Sequence, residues 1–268
     1  MAPHRTPSAF RFCLLAVACL GSAAASARTL PEMVASGEFV ICAAPDDMPF
    51  SARGAPPTGL YVDLGRLVAA DLGLALGVRW IPRRALAHRA GCDAIMGAAV
   101  VETAATDGPA PWRSVLTTPY MHSSAVVIAG AAFGPADTLD RFRGGHVAVP
   151  SGSWAHKLLD ERGIPVWVRF RTDPEIADAV ARGDADAGIV SDLAAGWYRL
   201  RHGDAGIHVA DTLLDADEFA FDVAIDLLDT DASTLERVNT IVRSRLADGA
   251  IARIGQRYGS YHPPAAGR

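Results

Sequence analysis

Three short stretches of the chain carry side chains suited to holding a small polar molecule. Ser151-Gly152-Ser153 follows an apolar run, Gly145–Val149, and opens a helical stretch, Ser153–Glu161. Exposed backbone amides at such a helix start, together with the helix dipole, can hold a carboxylate or another anion. Ser151 or Ser153 can equally cap the helix. Asp192 follows a second run, Asp186–Val190, where its carboxylate either meets a ligand or caps the helix Leu193–Arg201. Asp46, Asp47, Phe50 and Ser51 share one loop, with Phe50 available as an apolar wall. Gly97 and Ala98, beyond the run Ala94–Met96, let another group approach the strand end closely. The candidate ligand-binding residues are therefore Asp47, Phe50, Ser51, Gly97, Ala98, Ser151, Gly152, Ser153 and Asp192.

The chemistry on offer is grip rather than bond-breaking. Asp184 and Asp186 lie in a turn before a strand and read as turn residues, not as a general acid–base pair. Tyr120 reads as structural and His122 as a solvated side chain. The eight histidines show no metal-ligand spacing. No metal, cofactor or catalytic residue is expected.

Positioning these residues needs alternating strands and helices, the pattern of an α/β fold. Strands are predicted at Phe39–Ala43, Ala75–Trp80, Ala94–Met96, Gly145–Val149, Val166–Phe170 and Asp186–Val190. Leu60, Leu64, Leu67, Val68 and Leu72 recur at a helical period within Gly59–Leu72. Further helices are predicted over Pro174–Arg182, with Asp173 as N-cap, and over Ser233–Leu246 and Gly249–Tyr258. Ser123–Ala129 and Phe219–Asp226 read as extended crossings. The expected layout is a discontinuous first lobe, 28–128 and 222–268, with a second lobe, 129–221, inserted. The crossings near Val126 and Val223 would join them and could act as hinges.

The chain has 268 residues, half of them hydrophobic, and a formal net charge of −5. That supports a sizeable core and makes nucleic acid an unlikely partner. Arg5 and Arg11 precede an apolar run, Phe12–Leu20, and an Ala-Ser-Ala end, so residues 1–27 read as a cleaved secretory signal and the protein as periplasmic. The run is too short to span a bilayer. Ala16-Val17-Ala18-Cys19 resembles a lipoprotein signal only weakly. Cleavage removes Cys13 and Cys19 and leaves Cys42 and Cys92, an even pair in an exported chain. That pairing suggests a disulfide if their strands are neighbours in a parallel sheet.

With these pieces in place, the chain resembles type II periplasmic solute-binding proteins of the family that includes the amino-acid receptors of ABC transporters. The matching segments are Val40–Ser51, Gly59–Leu64, Leu116–Tyr120, Val147–Ser153 and Gly183–Asp192. A narrower set is similar to the methanol-oxidation J proteins: Cys42 with Pro49-Phe50-Ser51, then Gly91–Gly97, Leu116–Tyr120, Leu193–Tyr198 and Gln256–Gly259. The resemblance implies two α/β lobes joined by two extended crossing segments. It implies a non-enzymatic accessory role beside a periplasmic quinoprotein alcohol dehydrogenase (pyrroloquinoline-quinone-dependent) or its cytochrome. The alternative it offers is a receptor that presents a small polar solute to an ABC permease. A remote third is a dehydratase resembling cyclohexadienyl dehydratase, with Glu102 as its acid or base. In the amino-acid receptors an acid at the place of Asp192 pairs with the ligand ammonium. Those receptors also carry a Thr-x-x-Arg motif whose Arg grips a carboxylate. Here Val100–Pro109 holds no Arg at that spacing and Arg113 is the nearest, which weakens the case for an amino-acid ligand.

Overall fold

The computed structural model describes residues 28–100, 114–133, 138–151, 153–203, 206–210, 213–214 and 219–264. The signal segment 1–27, Glu102, Arg113 and Gly152 lie outside the described residues.

The first half of the chain builds β1 (Glu38–Ala43), a hairpin of β2 (Asp46–Asp47) and β3 (Ser51–Ala52), and β4 (Ala75–Trp80). It continues through β5 (Ala94–Val100), β6 (Ser114–Leu116) and the long β7 (Met121–Gly130). Helices α1 (Leu30–Ser36), α2 (Leu60–Leu72) and α3 (Ala87–Ala90) are interleaved. The second half brings β8 (Val147–Pro150), α4 (Trp154–Glu161), β9 (Val166–Phe170), α5 (Asp173–Ala181), β10 (Ala187–Ser191), α6 (Asp192–His202) and β11 (Ile207–Ala210). The long β12 (Ala220–Leu228) and helices α7 (Ala232–Ala247) and α8 (Ala250–Arg257) follow.

Strand pairing explains how two lobes arise from one ladder. Strands run β4-β1-β5-β12-β7-β10-β8-β9, with β6 on β12 and β11 on β7. The first part of β7, Met121 to Ser124, pairs antiparallel with β12. Its remainder, from Ala125, pairs with β10, and β11 joins at Val127. β7 therefore belongs to both halves, and β12 runs beside it and on to β5. Cores form separately on either side of this switch. One gathers Phe39, Ile41, Leu64, Met96 and Tyr120 with Val238 and Ile241 of α7. The second half has a core on each face of its sheet, one around Val127, Val149 and Leu159, the other around Ile128, Ile176 and Val190. Alternate residues of β7 thus face opposite layers, as strand geometry requires.

Helix starts are set by small polar caps. Thr172 caps α5 and Ser191 caps α6, each accepting a backbone N–H three residues on. This corrects the reading of Asp173 as the cap and decides between the two roles open for Asp192 only in that Ser191 is the cap. Asp173 and Asp192 are the first residues of their helices, because a hydroxyl one residue earlier already satisfies the free amide three residues on.

Cys42 and Cys92 form a disulfide with Cα atoms 5.6 Å apart. The parallel pairing of β1 with β5 brings them together, as Cys42 opposes Ile95. Asp93, fully buried beside the bridge, accepts the Val40 N–H at 2.7 Å and a bidentate contact from Arg28 at 2.9 and 2.6 Å. That fork fixes the chain entering β5 against β1.

Candidate ligand-binding cleft

At the carboxyl ends of β8 and β10, beside the crossing strands, lies a cavity of about 160 Å³. Ser123 of β7, Phe221 of β12, Pro150, Ser153, Asp173 and Ser191 line it. The doubly wound layout produces such a crevice outside the strand ends, where helix N-termini converge. None of the described residues that line it is basic.

Its carboxylates are held in place. Asp173 accepts both the N–H and the hydroxyl of Ser191, at 2.9 and 2.7 Å. Burial raises its pKa and Asp192 adds to this, while the Ser191 bonds oppose. Asp192 accepts the Ser123 hydroxyl at 2.8 Å and the Leu193 N–H at 2.9 Å. Its second oxygen is 3.5 Å from Nε2 of His262 in the carboxyl-terminal segment. Asp47, on the β2–β3 hairpin, faces Asp173 and Glu175 of α5. Burial first, then the charges of those two, push its carboxyl from 3.8 to about 7. One carboxylate, Asp173, lines the cavity; Asp192 adjoins it behind Ser123, and Asp47 lies close enough for the Asp173 charge to act on it.

The other expected residues fall into two groups. Phe50 stacks on Tyr61 at 5.1 Å and packs against the first core. Tyr61 lies over Gly97: a Cβ at Gly97 would come 2.2 Å from the Tyr61 hydroxyl, so only glycine lets that ring settle. Ser153 caps α4, accepting the His156 N–H at 3.1 Å, and still lines the cavity. Ser151 is exposed. Ser51 is buried, with its hydroxyl donated to the Ala44 carbonyl at 2.8 Å. Ala98 is 3% exposed, its methyl turned inward by strand alternation. Tyr120 is buried and donates to the Met96 carbonyl at 2.5 Å, in keeping with a structural role. His122 is not simply solvated: its Nδ1 is 2.8 Å from Asp222 and its N–H donates to the His262 carbonyl at 2.9 Å.

Sequence reasoning does not reach Ser123 as a cleft residue, nor Tyr61 and His262 as the side chains behind Gly97 and Asp192. Strand alternation could have shown that Ser123, a polar residue on a crossing, faces inward. Nothing in the sequence placed His262, because its role depends on the carboxyl-terminal segment folding back. That segment lies against α6, where a Cβ on Gly259 (φ +115°) would come 2.3 Å from the Trp197 nitrogen.

Ser123, Asp192 and His262 stand in a row without forming a hydrolytic triad. A triad needs the imidazole between hydroxyl and carboxylate to take the proton, whereas here Asp192 lies between the other two.

The raised Asp47 carboxyl carries a pH prediction. An acid whose pKa is higher in the folded than in the unfolded state destabilises the fold as it ionises. Native stability should therefore fall between pH 4 and pH 7 through this group. Asp47→Asn is expected to melt close to wild type at pH 4 and above it at pH 8. Melting curves across that range check this, and a pH-independent difference would contradict it.

No protein-family model and no curated protein matches the chain. Solved structures do match. An ArgBP variant from T. maritima superposes with a TM-score of 0.67 at 20% identity, covering 85% of this chain and 98% of that one. An amino acid ABC transporter substrate-binding protein from Streptococcus pneumoniae, bound to L-arginine, gives 0.70 at 17% identity, covering 87% and 98%. An ancestral amino acid-binding protein, a precursor of cyclohexadienyl dehydratase, gives 0.70 at 18% identity, covering 86% and 99%. At these identities the likeness is one of architecture: the chain has the two-lobed α/β fold of type II periplasmic-binding proteins.

Proposed function

We propose that the protein is a non-enzymatic, periplasmic substrate-binding receptor, which closes its lobes on a small polar solute bearing a positive charge and presents it to an ABC permease. One observation carries the reading. Asp173 lines the cleft, Asp192 adjoins it through the Ser123 hydroxyl, and Asp47 lies near enough to feel the charge of Asp173, while none of the described lining residues is basic. Carboxylates in a partly desolvated crevice, with no Arg or Lys paired to Asp173 or Asp192 among the described residues, favour a cation. Lobe closure would follow from differential contact, since a ligand touching both lobes stabilises the closed form over the open one. In this reading the lobes are 28–128 with 222–268, and 129–221. Structural neighbours that bind arginine support a receptor over the quinoprotein accessory role implied by the narrower sequence resemblance.

A thermal-shift screen of small amines, guanidines and cationic amino acids, set against neutral and anionic solutes, tests the proposal. A true ligand at 100 times its Kd should add about 2.7 kcal/mol of stability. Stabilisation confined to anions, or no stabilisation by any solute, would overturn it.

A further inference from the structure

Two motifs that the cleft does not use meet elsewhere. Trp197 and Tyr198 of α6 and Tyr258 after α8 border a second cavity of about 610 Å³, and no residue lines both. Its walls come from both halves of the fold: α5 and α6 on one side, Met48 and Thr58 of the hairpin region and Tyr258 on the other. The volume is that of a small-molecule site.

Its surfaces are flat and fixed. The Trp197 and Tyr258 rings lie 5.8 Å apart at 40°. Tyr258 is held by its hydroxyl, which donates to Asp63 at 2.9 Å and accepts the Gly59 N–H at 3.1 Å. Tyr198 stacks on His202 at 4.5 Å. The Arg201 guanidinium lies 5.5 Å from the Trp197 ring centroid and makes no ion pair among the described residues. Fixed aromatic faces favour a planar ring by offset stacking. An unpaired guanidinium beside them favours a carboxylate, which it can grip through two N–H groups. The remaining charged group in the lining is Asp178 on α5, near enough to Tyr198 to act on it, which disfavours a second negative charge beside that ring.

From this we propose a second binding site, distinct from the cleft, that takes a planar aromatic ring carrying one carboxylate, with the ring lying against the cavity faces of Trp197, Tyr198 and Tyr258 and the carboxylate on Arg201. Because both halves of the fold wall this site, its occupant would also bias the angle between them. The inference stands apart from the transport reading, as it uses none of the cleft residues.

Calorimetric titration of the full chain with indole-3-acetate, tryptamine and indole-3-ethanol tests it. The expected order is the anion first, with a Kd below about 1 mM. Arg201→Gln, at an exposed position, should weaken indole-3-acetate at least tenfold. Thr58→Trp, also exposed, should block it by filling the opening while the melting temperature stays near wild type. The inference is overturned if indole-3-acetate does not bind, if tryptamine or the alcohol binds as tightly, or if either variant leaves its affinity unchanged.

Discussion

Replacing Cys42 and Cys92 together by alanine is expected to remove about 4 kcal/mol of stability. The bridge closes a loop spanning 50 residues, and the chain entropy it withdraws from the unfolded state is of that order. In a protein of this size each kcal/mol shifts the melting temperature by about 2–4 °C, so a drop of roughly 8–16 °C should follow. The bridge also sits in a polar anchor. It joins β1 to the entry of β5, and Asp93 beside it anchors Arg28 and the Val40 amide. Loosening that corner exposes a buried carboxylate whose fork must stay intact. Urea unfolding of the double variant checks the figure, and a midpoint equal to that of wild type would show that the bridge contributes nothing.

The second large effect concerns Asp192. Asp192→Asn keeps a carbonyl oxygen to accept from Ser123 and Leu193, so the junction of β7 with α6 should survive. What it removes is the negative charge. Truncating one partner of a desolvated charge pair costs about 2–5 kcal/mol. The strongest cation from the screen should therefore bind Asp192→Asn at least about 30-fold more weakly. Circular dichroism should be unchanged. Unaltered affinity would place the ligand elsewhere. Affinity in wild type should also fall as pH drops below about 7, because a proton on Asp47 competes with the bound cation.

Much of the architecture was legible from local pattern. Ala75–Trp80 and Val166–Phe170 were delimited correctly because strand alternation and flanking turns agree there. In the α2 stripe Leu60, Leu64 and Val68 are buried as its spacing requires, and Leu67 and Leu72 are half-buried. Crossings were readable as long extended runs, though both proved longer than expected: β7 starts at Met121 and β12 reaches Leu228. The three-residue β6 and the hairpin within Pro45–Pro57 escaped notice. β6 owes its form to β12, a partner distant in sequence, and the two-residue strands of the hairpin are too short for alternation to show.

The site was harder to read. The helix starts at Ser153 and Asp192 are legible because a helix opening after a strand is visible locally. Asp173 was read as a cap, since Asp before Pro is a common helix start, while Thr172 one residue earlier does that work. Its role in the cleft depends on Ser191, eighteen residues on, and on Asp47 across the crevice. The burial of Ser51 and Ala98 is hidden from the sequence for the opposite reason. A small or polar residue beside a loop looks available, yet the first is spent on the Ala44 carbonyl and the second faces the core.

The most direct test of the account is calorimetric titration at pH 8 of the strongest cation from the screen beside its uncharged isostere. We predict binding of the cation at least 100-fold tighter than the isostere. Equal affinities, or preference for the uncharged molecule, would contradict a cleft built to hold positive charge.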